Sequence, residues 1–372
     1  MKVTLSLTHR CNLTCRYCYA GSAAKKDMSL ETAQKCLDLA LETVPAEKSL
    51  NLCFFGGEPL LRFDLVRKIT AYTYQKAAAL NKSVRLSITT NGTLVTPEVI
   101  DFAADQNLHL CFSLDGPQDL HDRNRIFHNG RGSFASVMAR LELALKRLNT
   151  VQVNAVLGPE TIMDFPRTLE FFVGSGISVI NFNPDIMAVW PDNLRPQLQD
   201  IYTQVAEHYR QCYTQGQEIA VNLLDSKMLL FIKGGYDTSD ICAMGDGEWG
   251  AAPSGNIYPC ERFIGEDENS PFCLGNIHTG LDLKRRCAIR LKRGNHNPEC
   301  LSCKMRRYCM NWCGCTNYFM SGQTDMAAPM LCAMEQATIR AARYVFDSLV
   351  NEGNELFTDH LYRYVNTGIH HR

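Results

Sequence analysis

The 372-residue sequence has no uninterrupted apolar run long enough to span a bilayer. Its first ten residues hold too little apolar length for a secretory signal. Neither sign of charge dominates: 38 Lys+Arg stand against 39 Asp+Glu, for a formal net charge of -1. A global electrostatic footprint for nucleic acid or an anionic membrane is therefore excluded. There is no internal repeat and no low-complexity segment. These absences predict a cytoplasmic globular chain with no nucleic acid and no membrane among its partners. At 45% hydrophobic residues there is ample material for a core.

What is abundant is cysteine, 17 residues in all. In a reducing compartment disulfides do not persist, so metal is the first explanation. The distribution is uneven. Cys11, Cys15 and Cys18 form one group, and ten more fall between Cys242 and Cys332. Cys36, Cys53, Cys111 and Cys212 are scattered in helix or strand patterns, where a small buried hydrophobe is the expected role.

The first half alternates strand and helix signals. β-rich apolar runs at Val3–Leu7, Leu50–Phe55, Val84–Thr89, Leu108–Leu114, Val151–Leu157 and Ser178–Asn183 are separated by helical periodicity. A further helix is predicted over Pro196–Tyr213. Such β-then-α units imply a parallel sheet with right-handed crossovers. Both a doubly wound sheet and an open barrel fit, and both place ligands at the carboxyl ends of strands. After Gly234, Gly, Cys, Asn and Pro become frequent, and helices are few until Leu331–Leu349. Metal would stabilise a segment with so little core. The predicted division is an α/β domain over 1–233, a cysteine-rich domain over 234–352 and a polar tail over 353–372. His370 and His371 read as tail.

Cys11-x3-Cys15-x2-Cys18 directly follows the first strand. Three thiolates within eight residues can reach three corners of a 4Fe–4S cube and leave one iron open. A zinc or structural site with a distant fourth ligand is the alternative. Gly56-Gly57-Glu58-Pro59 follows the second strand, Thr90-Asn91-Gly92 the third and Ser113-Leu114-Asp115-Gly116 the fourth. With Tyr17 before the last cysteine, this series resembles the radical SAM superfamily. The resemblance implies a partial (β/α)6 TIM barrel whose open iron is chelated by S-adenosylmethionine. It implies that Gly56, Gly57 and Glu58 meet the methionine ammonium, and that Ser113 and Asp115 meet the ribose or methionyl end. Tyr17, Tyr19, Asn91 and Asn154 complete the implied cofactor contacts, with Tyr19 over the adenine. Arg125 is expected at the methionine carboxylate or in a structural ion pair.

In the second group the order is Cys242-x12-Gly255-x4-Cys260, then Cys300-x2-Cys303-x5-Cys309-x3-Cys313, then Cys332. This resembles the SPASM extension of radical SAM enzymes, an irregular iron–sulfur domain with two auxiliary 4Fe–4S clusters. By that resemblance Cys300, Cys303, Cys309 and Cys332 hold the distal cluster, and Cys242, Cys260 and Cys313 the proximal one. Cys273, Cys287, Cys315 or an open position remain for the fourth proximal ligand. A zinc ribbon is disfavoured, because the x2/x5/x3 spacing does not form two CxxC pairs.

The resemblance implies reductive cleavage of S-adenosylmethionine to a 5′-deoxyadenosyl radical that abstracts hydrogen from a precursor peptide or protein. An external flavodoxin- or ferredoxin-type donor supplies the electron. The expected product is an oxidation, a thioether or carbon–carbon crosslink, or an epimer in a ribosomally made peptide. Formylglycine formation, as in anaerobic sulfatase maturases, is the alternative. Those maturases carry an acid where Glu261 follows Cys260, so Glu261 is the candidate base. An ion pair with Arg262 or another Lys/Arg is the competing role. The absent cysteine between Cys242 and Cys260 stands against a sulfatase maturase. With the chain starting at the first strand, a separate leader-binding protein or the barrel mouth, including Asp185 and Trp190, is expected to receive the precursor. A non-catalytic iron–sulfur electron carrier is the rival from another class, but it has no use for a nucleoside-binding strand end.

Overall fold

The structure is a computed structural model that describes residues 1–20, 26–45, 48–268, 270–292, 294 and 296–367. In chain order the strands are β1 (Lys2–Ser6), β2 (Leu13–Cys15), β3 (Leu50–Phe55), β4 (Val84–Thr90), β5 (Leu108–Ser113), β6 (Arg125–Phe127), β7 (Gln152–Leu157), β8 (Val179–Pro184), β9 (Ala220–Val221), β10 (Glu248–Ala251), β11 (Ile257–Tyr258), β12 (Gly275–Asn276) and β13 (Gly280–Leu281). The helices are α1 (Leu30–Thr43), α2 (Phe63–Ala79), α3 (Pro97–Asp105), α4 (Gln118–Asn124), α5 (Phe134–Arg147), α6 (Phe165–Gly174), α7 (Leu198–Thr214), α8 (Asn222–Lys233), α9 (Leu283–Leu291), α10 (Gly314–Ser321), α11 (Pro329–Asn351) and α12 (Glu355–Thr367).

Local chemistry sets these elements. In β3, Leu50, Leu52 and Phe54 are buried on one face at the two-residue period of a strand. Helix α1 begins where the Ser29 hydroxyl accepts the Thr32 N–H, and it buries Ala33, Cys36, Leu37, Ala40 and Leu41 at helical spacing. Thr96 caps α3 in the same way, with Pro97 in its first turn.

The chain forms two compact units. The first comprises Met1–Ser113, His121–Val151 and Ala243–Lys292. Its sheet runs β11-β10-β1-β3-β4-β5. All neighbours are parallel except β10 and β11. Leu5, Leu52, Phe54, Ile88, Leu110 and Phe112 form its buried centre. Each contributes about 1.5–3 kcal/mol by leaving water. Part of the cysteine-rich segment joins this sheet: β10 pairs with β1 in the register Lys2↔Glu248, and Trp249, Ile257, Tyr258 and Leu274 are buried. The expectation that this segment holds little core is therefore corrected. Its apolar residues share a core with the first strand rather than building their own.

The second unit comprises Leu114–Leu120, Gln152–Cys242 and Arg293–Arg372. Its parallel strands run β7-β8-β9. Helix α6 packs on α7, and α11 packs on both α7 and α8. Phe165, Phe172, Phe182, Tyr209 and Tyr213 are buried among them. Helix α8, absent from the sequence-based assignment, ends at Gly234 in the left-handed conformation (φ 77°). The segment 353–372, expected to be a tail, carries α12 instead. That helix buries Phe357, His360 and Leu361 on one face, and Asn354 caps it by accepting the Phe357 N–H at 2.9 Å. His370 and His371 lie outside the described residues. Among the described residues no helix is long and apolar enough to cross a membrane.

Candidate functional site

In the first unit the chain leaves β1 and reaches Cys11 five residues later. The antiparallel pair of β2 and β6, with Leu13 opposite Phe127 and Cys15 opposite Arg125, shapes the loop that follows. Cys11 and Cys15 are half-buried and Cys18 is exposed. The Leu13 N–H donates to Cys11 Sγ at 3.4 Å and Asn91 Nδ2 donates at 3.7 Å. Burial pushes the Cys11 thiol up to about 11, and these two donors work against it. All 17 thiols are unbridged. The Cys11 sulfur, outside any disulfide and taking two donors, suits a thiolate bound to a metal group.

The Gly56–Pro59 turn is built against this loop. Gly57 N–H donates to Thr8 O and Glu58 N–H to Arg10 O, both at 2.8 Å. A Cβ at Gly56 (φ +131°) would stand 2.4 Å from Thr8 O, and one at Gly57 would stand 2.3 Å from Arg10 O. The space each glycine leaves is thus occupied by the chain's own backbone.

Glu58 is fully buried. Its Oε1 accepts the Leu60 N–H at 3.0 Å and the Thr90 hydroxyl at 2.7 Å, and its Oε2 accepts the Asn91 N–H at 2.7 Å. Burial raises its carboxyl above the usual range, against the pull of these donors. Beside it, Asn91 Nδ2 donates to Asn12 Oδ1 at 2.8 Å, while Asn91 Oδ1 accepts the Thr93 hydroxyl at 2.7 Å. Asn12 Nδ2 donates to Thr93 Oγ1 at 2.8 Å. Glu58, Thr90, Asn91, Thr93 and Asn12 therefore strap the Cys11 loop to the ends of β3 and β4. Asn12 and Thr93 were missed by sequence reasoning; each directly flanks a motif residue and is polar, which was the available signal.

The remaining predicted contacts are placed as follows. Arg125 Nη1 donates to Tyr17 Oη at 2.5 Å, and its guanidinium lies 5.8 Å from the Tyr17 ring centre. Tyr19 stacks on Phe55, with ring centres 6.3 Å apart and planes 13° apart. Ser113 is half-buried at the end of β5. In the second unit, buried Asp115 accepts the Val156 N–H at 3.2 Å. The Asn154 carbonyl accepts the Leu114 N–H at 3.0 Å, and its side chain accepts Gln152 Nε2 at 3.2 Å. Asp185 accepts the Met187 and Ala188 N–H groups, and Trp190 Nε1 donates to Asp185 O.

Glu261 follows buried Cys260 in the first unit. Lys2 Nζ stands 2.9 Å from Glu248 Oε1 and 3.7 Å from Glu261 Oε1. Cys260 Sγ donates to Glu261 Oε2 at 3.3 Å. The carboxyl of Glu261 lies below its usual range: burial acts to raise it, but the Lys2 and Arg262 charges outweigh that. Glu261 is thus an ion-pair member, and its main cation comes from β1. Cys273 donates to Gly275 O at 3.4 Å, and Cys287 is exposed on α9.

In the second unit Cys300, Cys303 and Cys309 sit on consecutive tight turns, joined by Cys303 N–H to Cys300 O and Cys309 N–H to Arg306 O. Burial pushes the Cys309 thiol up to about 12, with the Glu335 and Cys300 charges adding to it. Cys332 on α11 accepts Gln336 Nε2 at 3.3 Å. Cys313 Sγ lies 3.5 Å from Cys315 Sγ and accepts the Thr316 hydroxyl. This donor set, unbridged and partly buried, fits iron–sulfur ligation.

Residues 5–172 match the model of the radical SAM superfamily. The chain is 28% identical over 180 residues to an uncharacterized protein of Methanocaldococcus jannaschii, spanning 48% of this chain and 60% of that one. It is 23% identical over 320 residues to a cysteine-type anaerobic sulfatase-maturating enzyme of Clostridium novyi, covering 82% and 84% of the two chains. The radical SAM cyclopropyl synthase TigE of Paramaledivibacter caminithermalis is 23% identical over 331 residues, covering 84% and 67%. The solved anSMEcpe with bound AdoMet and Kp18Cys peptide superimposes with a TM-score of 0.79 at 18% identity, over 94% of this chain and 99% of that one. Streptococcus suis SuiB bound to precursor peptide SuiA gives 0.61 at 16% identity, over 89% and 75%. These two likenesses establish the shared fold. Residues 5–172 thus match a radical SAM domain, and over most of its length the chain is similar to an anaerobic sulfatase-maturating enzyme and to a radical SAM cyclopropyl synthase.

Proposed function

We propose that the chain is a radical SAM maturase that takes hydrogen from a residue of a ribosomally made peptide or protein, giving an oxidation, a crosslink or an epimer. The observation that carries this reading is the polar strap. Five side chains behind Cys11 are spent on holding a cysteine loop against two strand ends, as a site for a thiolate-bound group requires. Cys11, Cys15 and Cys18 would hold a 4Fe–4S cluster with one iron left for S-adenosylmethionine. When bound, that pair supplies a 5′-deoxyadenosyl radical able to abstract hydrogen from the peptide.

The chain's own residues position these groups. The Leu13 N–H and Asn91 hold Cys11, and Glu58 fixes the turn beneath it. Ser113, Asp115, Asn154, Tyr17 and Tyr19 are assigned to S-adenosylmethionine. In this reading residues 1–233 are the radical SAM part, and 234–352 hold two auxiliary clusters through Cys242, Cys260 and Cys313 and through Cys300, Cys303, Cys309 and Cys332. A flavodoxin- or ferredoxin-type protein supplies electrons, and a separate leader-binding protein is a further partner. Two solved structures of the same fold hold a bound peptide, which supports a peptide substrate.

A second reading, formylglycine formation in a sulfatase, is favoured by the match to sulfatase-maturating enzymes over 82% of this chain and by the carboxylate following Cys260. Glu261 would then act as base only after leaving Lys2.

The test is anaerobic reconstitution. Roughly 12 iron per chain is expected from three cubanes. Reduced protein is expected to release 5′-deoxyadenosine from S-adenosylmethionine, and the Cys15→Ala variant is not. Abundant zinc with little iron, or undiminished cleavage by Cys15→Ala, overturns the proposal. Mass spectrometry of a precursor peptide co-expressed with the enzyme then separates crosslink from epimer.

A further inference from the structure

Positive charge is concentrated in one patch of the second unit, although the formal net charge of the whole chain is only -1. A cavity of about 440 Å³ opens between the Cys303–Cys309 loop and the outer face of α11. Lys304, Arg340 and Arg343 line it, with Tyr308 and Tyr344, against a single carboxylate, Asp347. That carboxylate already faces Arg343 at 3.8 Å. Lys304, Arg340 and Tyr344 are exposed, as are Arg306 and Arg307 on the same loop. One wall is preorganised: the Arg343 guanidinium lies 3.7 Å from the centre of the Phe231 ring, which meets Tyr308 edge-on at 5.1 Å.

The groove is wired to the thiols. Cys332, Gln336, Arg340 and Tyr344 recur every four residues on one face of α11. Gln336 Nε2 donates to Cys332 Sγ, and Arg340 Nη2 donates to Gln336 Oε1, both at 3.3 Å. Lys304 adjoins Cys303, and Tyr308 adjoins Cys309. A cationic surface therefore begins two hydrogen bonds from one thiol and beside two others.

We propose that this groove docks an acidic one-electron carrier protein of the flavodoxin or ferredoxin class. The inference rests on the reading that Cys300, Cys303, Cys309 and Cys332 hold an iron–sulfur cluster. One electron leaves the reduced carrier, which is oxidised, and enters the cluster, which is reduced; no atom or proton crosses. Redox encounters of this kind need only a small interface, and complementary charge gives them rate and orientation. A peptide leader would instead need apolar pockets at alternate positions or a long apolar groove.

The test uses the full chain, reconstituted anaerobically, with a purified flavodoxin and a purified ferredoxin as probes. Calorimetry is expected to show binding that weakens steeply with salt. Lys304→Glu and Arg340→Glu are each expected to weaken it about tenfold, and Arg340→Lys by less than about threefold. Equal iron content in all variants confirms folding. Dithionite-driven cleavage of S-adenosylmethionine is expected to stay at the wild-type rate while carrier-driven cleavage slows. Absence of salt-dependent binding overturns the proposal, as does an equal loss from Arg67→Glu, an exposed charge of the first unit. If wild-type protein fails to cleave with dithionite, the maturase reading falls by itself, while the binding data still decide the docking surface.

Discussion

Replacing Glu58 by Gln distinguishes a structural carboxylate from a ligand-binding one. Its two oxygens take three donors: the Leu60 N–H and Thr90 hydroxyl on Oε1, and the Asn91 N–H on Oε2. An amide keeps only one acceptor oxygen. If its nitrogen stands at the Oε2 position, it faces the Asn91 N–H; at the Oε1 position it faces the Leu60 N–H. In either orientation a buried backbone N–H loses its acceptor and meets another donor. A hydrogen bond to a charged acceptor contributes about 1.5–3 kcal/mol, and an orphaned buried donor costs about 1–3 kcal/mol. Glu58→Gln should therefore lose about 2–3 kcal/mol. Glu58→Ala orphans all three donors and opens a cavity, so it should lose more than about 4 kcal/mol. Anaerobic urea unfolding of the metal-free chain measures this order, and iron content after reconstitution reports whether the Cys11 loop is still held. If Glu58→Gln unfolds at the wild-type midpoint, loads wild-type iron and loses only affinity for S-adenosylmethionine, the carboxylate serves a ligand and the argument is refuted.

Three further perturbations follow from the geometry. Gly57→Ala places a methyl where Arg10 O stands at 2.3 Å, so the Cys11 loop must move; iron should fall by about four per chain, read by iron assay. Burial acts to lower the His360 pKa, but Asp225 and Glu218, 3.4 and 3.3 Å from its ring nitrogens, outweigh that and raise it. The stability it contributes is complete below the unfolded value of about 6.5 and is lost as pH rises through the folded value. The urea midpoint should therefore step down as pH rises above about 6.5 in the wild type and lack that step in His360→Gln. Lys2→Met removes the cation that Glu248 and Glu261 share and should cost about 1–3 kcal/mol, discounted because Lys2 is partly exposed; Lys2→Arg should restore most of the urea midpoint.

Much of the fold was legible because strand and helix periods are local. Leu50–Phe55 appears at the predicted position, and the helix predicted over Pro196–Tyr213 appears as α7 (Leu198–Thr214), since both periods act within a few residues. Helix α8 was missed because NLLDSKMLLFIK is apolar on most sides, which leaves no amphipathic period to read. Helix α12 stands where a tail is expected, although Phe357, His360 and Leu361 already recur at helical spacing in the sequence. The sheet partnership of β10 with β1 joins residues almost 250 positions apart, and no local pattern encodes such a pairing.

The cysteine spacing and the polar motifs at strand ends were set by the sequence alone, because ligand number and spacing are covalent facts. What those motif residues touch was decided by tertiary structure. Gly56 and Gly57 give way to the carbonyls of Thr8 and Arg10, Glu58 is consumed by three donors from two segments, and Glu261 is held by Lys2. A buried polar group must find its partner wherever the fold brings one, and the identity of that partner is written only in three dimensions.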